Sequence, residues 1–493
     1  MRLRTVSATA LCTATVLAAV GMVPASATPA TAPAATAAAG APKGPDFDGD
    51  GYTDLAVAAY TATAGGVARA GAVAVTYGSA AGIGKEKASV VSAASEGVPG
   101  DPVANDKWGQ IQAHGDLDHD GYDDLVIRSQ SLANSDRAVV LWGAATGLAG
   151  GTVLDLGTPS DTVPVLRSIR IADVDGDGRD DILGSAYRGL DPAKRTWGFG
   201  TLRGPFTRDG RPAGVRYRET SVTEGLANLN AVADMTGDGL PDILTVGHLP
   251  TGKSAFRVYR NTRTGFALTP GAQELPSKPG FVVPTAAGDF NGDGYEDVAG
   301  APTWSYTNPY GQVYIAYGGP AGLSTTLKPR VIHEDTPGVP GSRDHVDRWG
   351  EALAAGDIDK DGYADLVVGA PWKDATDAAG KEILRPGSVT VLRGSANGLT
   401  GTGARTITQY TAGVPSSNER LDHFGTAVSV TDGNKDGYGE VYVGGDGEDS
   451  FKGRVWKLPG TASGVTGAGA TSFGLADLGG PAGGAYFGSG LTG

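Results

Sequence analysis

The stretch Asp46-Phe47-Asp48-Gly49-Asp50-Gly51-Tyr52-Thr53-Asp54 decides how the rest of the chain is read. Counted from Asp46, carboxylates stand at positions 1, 3, 5 and 9. A glycine at position 6 lets the chain turn sharply, and position 7, Tyr52, offers a backbone carbonyl. Oxygen donors in this spacing converge on a hard cation, and calcium is the expected one. Polar turns also use Asp and Gly, but three or four clustered carboxylates repel one another unless a cation neutralises them.

The pattern returns along the chain. Loop 2 has Asp116, Asp118, Asp120, Tyr122 and Asp124, and loop 3 has Asp173, Asp175, Asp177, Arg179 and Asp181. Loop 4 is one charge short, with Asp234, Thr236, Asp238, Leu240 and Asp242. Loop 5 carries Asp289, Asn291, Asp293, Tyr295 and Asp297, and loop 6 carries Asp357, Asp359, Asp361, Tyr363 and Asp365. Loop 7 ends on the longer acid: Asp432, Asn434, Asp436, Tyr438 and Glu440. Loop starts 55 to 75 residues apart mark a repeat architecture holding up to seven calcium ions.

Each loop sits in a larger unit, plainest at residues 349–399. Trp349 to Gly356 reads as a first strand, Asp365 to Pro371 as a buried second, Gly387 to Gly394 as an alternating third, and Thr406 to Gln409 as part of a fourth. Four strands in a meander make one propeller blade. Gly71 to Gly78, Gly311 to Gly318 and Gly453 to Leu458 take the third-strand place elsewhere. Trp108-Gly109 and Phe424-Gly425 match Trp349-Gly350, and Gly300-Ala301-Pro302 matches Gly369-Ala370-Pro371.

On these landmarks the sequence resembles the FG-GAP repeat family, the calcium-bearing β-propeller of integrin α-subunit heads and of many secreted bacterial proteins. The resemblance covers nearly all of residues 45–493. It implies a binding surface on the face opposite the calcium loops. Departures are local: units three and four lack the aromatic-Gly pair, and the fifth has Phe281-Val282 there.

The chain ends predict how the ring closes. The aromatics Trp108, Trp349 and Phe424 each precede their loop by eight positions, and nothing equivalent precedes Asp46. Phe487-Gly488-Ser489-Gly490-Leu491-Thr492-Gly493 is a first strand with no loop after it. The expectation is an all-β, seven-bladed β-propeller closed by its C-terminal strand, which removes the open sheet edge.

Residues 1–27 read as a secretory signal peptide: Arg2 and Arg4, the apolar run Ala8 to Val23, then Ala25-Ser26-Ala27. The single cysteine, Cys12, leaves with it. Residues 28–44, rich in Ala, Pro and Thr, read as a flexible linker. No later stretch is long and apolar enough to span a bilayer. The product is expected to be secreted, extracellular and monomeric. Its formal charge of −14 grows by two when Arg2 and Arg4 leave, and seven divalent ions would offset nearly all of it.

Composition gives no reason to invoke nucleic acid binding. No zinc-protease pattern, nucleophile elbow or mature cysteine is present, and the six histidines are scattered. The function expected is an extracellular binding or adhesion module for a carbohydrate or protein ligand. The alternative is a polysaccharide- or ester-cleaving hydrolase or lyase on the same scaffold. Trp304, Tyr306, Tyr310 and Trp372 follow second strands, and either contact a ligand or cover the core. Eight Lys or Arg residues from Arg188 to Arg218 form either a patch for acidic polymer or a solvated blade edge.

Overall fold

The computed structural model describes residues 44–492 apart from 130–137, 158–159, 161–163, 192–193, 221–228, 250, 276–281, 303–310, 345 and 378. Residues 1–43, with Cys12 among them, and Phe281, Trp304, Tyr306, Tyr310 and His345 lie outside the described residues.

Small, β-branched and aromatic residues in short alternating runs form seven antiparallel blades. Blade 6 is the plainest, running Ala352–Gly356, Asp365–Ala370, Ser388–Leu392 and Arg405–Ile407 from axis to rim. Blade 2 runs from Trp108–Gly115 to Thr152–Val153, blade 3 from Val165–Ala172 to Gly214–Glu219, and blade 4 from Ala231–Ala233 to Phe266–Leu268. Blade 5 runs from Val282–Gly288 to Arg330–His333, and blade 7 from Phe424–Thr431 to Thr471–Phe473.

Blade 1 contributes only Leu55–Ala59, Ala72–Thr76 and Ala88–Val91 from its own stretch of chain. The C-terminal segment supplies the missing inner strand. Val57 pairs antiparallel with Leu491, the Ala58 N–H donates to the Gly490 carbonyl at 2.8 Å, and the Thr492 N–H donates to the Ala56 carbonyl at 3.0 Å. Seven apolar clusters fill the seven blade interfaces. That between blades 7 and 1, with Tyr442, Phe473 and Phe487 against Leu55 and Val57, is built like the others.

The aromatic-Gly landmark has a packing cause. The aromatic opening one blade lays its backbone over the glycine that opens the third strand of the blade before. A Cβ on Gly71, Gly387 or Gly453 would fall 2.0, 2.2 or 2.1 Å from the carbonyl oxygen of Trp108, Phe424 or Phe487. These glycines also adopt φ of 81° to 98°, which side chains disfavour. Phe487 thus stands to blade 7 as Phe424 stands to blade 6.

Because Phe487 is fully buried, Phe487→Ala should cost about 3–5 kcal/mol in a denaturant titration. Removing residues 484–493 should lower the melting temperature far more than removing residues 28–40. Equal melting temperatures for the two truncations would rule out closure by the C-terminal strand.

Candidate metal centres

The acidic loops join first to second strands, so all seven lie on one face of the ring. Position 2 anchors them: Phe47, Leu117, Val174, Met235, Phe290 and Ile358 are buried, and loop 7 has Gly433, packed against Ile83. In every loop the position-1 carboxylate accepts the N–H of the position-6 glycine at 2.8–3.0 Å. The position-5 carboxylate accepts the N–H of position 7 at 2.9–3.2 Å. The position-6 glycines turn with φ of 82° to 94°.

Position 4 is a second left-handed turn that the spacing argument missed. Gly49, His119, Gly176, Gly237, Gly292, Lys360 and Lys435 all have φ of 60° to 71°. Four glycines in seven copies were the available signal. This turn carries position 4 to the next loop's position 7. A Cβ on Gly49 or Gly292 would sit 2.6 Å from the ring of Tyr122 or Tyr363, and Lys435 lies over the Tyr52 ring at 4.8 Å. The loops therefore touch around the ring. Backbone bonds reinforce this, from Asp123 to Asp46, Glu296 to Asp234, Ala364 to Asp289 and Gly439 to Asp357, at 2.9–3.1 Å.

The position-9 acids are buried, and five share one arrangement. Asp54 accepts the N–H of Phe47 at 2.7 Å and of Gly78 at 2.8 Å, tying its loop to the end of the third strand. Asp124, Asp181, Asp242 and Asp297 likewise bind one N–H in the loop and one at or just beyond the end of the third strand. Asp365 holds Gly394, and Glu440 holds Gly433. Burial, only partly opposed by these hydrogen bonds, pushes the carboxyl groups of Asp124 and Asp297 up to about 8 and those of Asp54 and Asp365 to about 7.

Asp46, Asp48 and Asp50 bring carboxylate oxygens within 4.8 Å of one another, as do Asp357, Asp359 and Asp361. In loops 2 and 3 the trio is positions 1, 3 and 9: Asp116, Asp118 and Asp124, then Asp173, Asp175 and Asp181. Loops 4, 5 and 7 show no such trio among the described residues, and their position 3 is Thr236, Asn291 or Asn434. Within the loops, the buried oxygens with no hydrogen-bond partner are Oδ1 of Asp46, Asp118, Asp175 and Asp359, Oδ2 of Asp359 and Asp365, and Oγ1 of Thr236; of these, Asp359 Oδ2 is ion-paired with Arg393. Unpaired buried oxygens are costly, and a hard divalent cation satisfies them. The donor set therefore fits such an ion, held by positions 1 and 3 together with position 5 in loops 1 and 6 and with position 9 in loops 2 and 3.

Of the other residues singled out by sequence, Trp372 and His423 lie on the opposite face, whereas His114 and the arginines of blade 3 that reach Asp118 and Asp175 lie at the loop end. Trp372 is sandwiched between the guanidinium groups of Arg348 and Arg385, 3.4 and 4.0 Å from its centroid, so both ring faces are covered. His423 Nδ1 lies 2.9 Å from Asp446 Oδ1, and burial pushes His114, beside the axis, down to about 4. The basic run of blade 3 is dispersed. Arg203 and Arg216 reach Asp175, Arg208 reaches Asp118, and Arg188, Arg195 and Arg218 lie over the rings of Tyr217, Tyr187 and Tyr259. It forms a network of internal pairs, not one open field.

The FG-GAP repeat family matches residues 38–76 and 349–383, and the FG-GAP-like repeat matches residues 234–300. Integrin alpha-4 of Xenopus laevis is 29% identical over 221 residues, which is 42% of this chain and 18% of the integrin. Phosphatidylinositol-glycan-specific phospholipase D of Rattus norvegicus is 37% identical over 116 residues, covering 23% of this chain and 13% of the enzyme. The matched regions thus span less than a fifth of the length of these relatives. Among solved structures, the BP39L lectin from Burkholderia pseudomallei aligns over 80% of this chain and 92% of its own, with 13% identity and a TM-score of 0.39. The chain belongs to the FG-GAP repeat family and is an integrin α-like β-propeller.

Proposed function

We propose that this propeller is secreted, binds calcium in its acidic loops, and acts as an extracellular binding or adhesion module for a carbohydrate or protein. The observation that carries the calcium reading is the set of buried, unpartnered oxygens inside loops of one repeated geometry. Calcium suits them because it accepts six to eight oxygen ligands in flexible geometry, and the loops offer only oxygen. Secretion rests on the leader-like residues 1–27.

The ligand is assigned to the face away from the loops. Of the large apolar side chains exposed among the described residues, Val103, Leu190, Val346, Leu384 and Tyr410 lie on connections of that face, and Trp197 lies in the strand end beside one. Loops on a rigid scaffold are where recognition is commonly placed. The similarity to integrin α chains supports the same side.

Exhaustive chelation should lower the melting temperature by several degrees, because an ion that binds only the folded state stabilises by about 2.7 kcal/mol per site at a hundredfold excess over Kd. An unchanged melting temperature would remove calcium from this account. Residues 28–493 should bind one class on an array of glycans and cell-wall polymers, and Tyr410→Ala with Leu384→Ala should weaken that binding at least tenfold. Shortening of the bound polymer would replace the binding module with a hydrolase or lyase, and silence across the array would exclude a carbohydrate ligand.

A further inference from the structure

Whichever loop has aspartate at position 3 also has a basic side chain seated on that aspartate. Lys87 reaches Asp48, Arg208 reaches Asp118, Arg203 reaches Asp175 and Arg393 reaches Asp359. The aspartate side chains are more than nine-tenths buried, whereas the cations are a third to a half exposed. The cations come from different places: Lys87 from before the rim strand of blade 1, Arg203 and Arg393 from the ends of third strands, and Arg208 from the neighbouring blade. Different origins with one destination argue for a requirement of the loop, not an accident of one strand position.

The two loops with asparagine at position 3 solve the same problem differently. Asn291 Nδ2 donates to Asp293 Oδ2 at 3.1 Å, and Asn434 Nδ2 donates to Asp436 Oδ2 at 3.0 Å. No ion pair reaches the position-1 or position-5 acids of these loops among the described residues. In loop 4, where Thr236 is neutral, Arg260 pairs with Asp238 at 2.8 Å.

We propose that Lys87, Arg203, Arg208 and Arg393 are built-in counter-ions that hold their loops in the ion-binding shape before any divalent cation arrives. The amides of Asn291 and Asn434 take that part in loops 5 and 7. The division of oxygens supports this. Asp118, Asp175 and Asp359 each give Oδ2 to the basic group and keep a buried, unpartnered Oδ1, and each belongs to an acidic trio whose oxygens lie within 4.8 Å of one another. The basic group lowers the mutual repulsion of the carboxylates and orients one of them, without using the oxygen an ion would take. These four are positioning residues. The proposal rests on the calcium reading only for what happens when the ion binds.

Loop 6 offers the cleanest test, by melting wild type, Arg393→Gln and Asp359→Asn/Arg393→Gln in chelator and in excess calcium. In chelator Arg393→Gln should melt lower than wild type by roughly 2 °C or more. In calcium that gap should shrink by at least half, since the ion then neutralises Asp359. The double variant, which recreates the loop 5 pattern, should recover the wild-type melting temperature in chelator. No loss in chelator, or an equal loss in both conditions without recovery in the double variant, would overturn the proposal. If calcium leaves wild type unchanged, the calcium reading fails, and the comparison in chelator still decides the role of Arg393.

Discussion

A buried carboxylate at position 9 is the interaction on which the acidic face depends. Removing a carboxylate from water is expensive, and in five blades the cost is offset by a pair of charge-assisted hydrogen bonds from backbone N–H groups. One donor lies in the loop for Asp54, Asp124, Asp181, Asp242 and Asp297; the other, from Asp54 to Asp365, lies at or just beyond the end of the third strand. That pair of bonds fixes the loop to its own blade. Only with the loop fixed can positions 1, 3 and 5 be held close together against their repulsion.

The fold was largely legible because its signals are local or periodic. The strands expected around loop 6 fall within a few residues of those observed, and the orphan first strand at Phe487 closes the ring as its spacing implied. The site was legible only in part. Positions 1, 5 and 6 are fixed by contacts inside nine residues, and their roles could be derived from the stretch alone. Position 9 was read as a ligand, and Asp124 and Asp181 do stand within the acidic trios of loops 2 and 3, but its hydrogen bonds to residues such as Gly78 and Gly394, 24 and 29 positions away, lay outside the motif. The partner of Asp118 is Arg208, in another blade, and no spacing rule reaches that far. For the same reason the basic run of blade 3 could not be told from a free patch until its pairs were in view.

Trp372 shows a related limit. An aromatic after a second strand is a fair candidate for stacking on a ligand, but Arg348 and Arg385 cover both of its faces. Arg348 comes from the turn before the aromatic-Gly pair, and Arg385 from the connection between second and third strands of the same blade. A cation on each side makes the ring part of the scaffold. Ligand contact is left to side chains that protrude, such as Tyr410 and Leu384.

The two faces thus answer different physical demands. On the loop face, position 4 of one loop meets position 7 of the next, and position 8 bonds back to position 1 of the one before, so charge and geometry are shared around the ring. A substitution there is felt by the neighbouring loop as well as its own. On the other face, the connections from Val103 to Tyr410 differ in length and content while the second and third strands beneath them pair without a register shift. Seven interfaces of similar apolar packing hold the blades whatever those connections contain. Stability is therefore set on one side and at the interfaces, and the opposite side is left able to vary without loosening the ring.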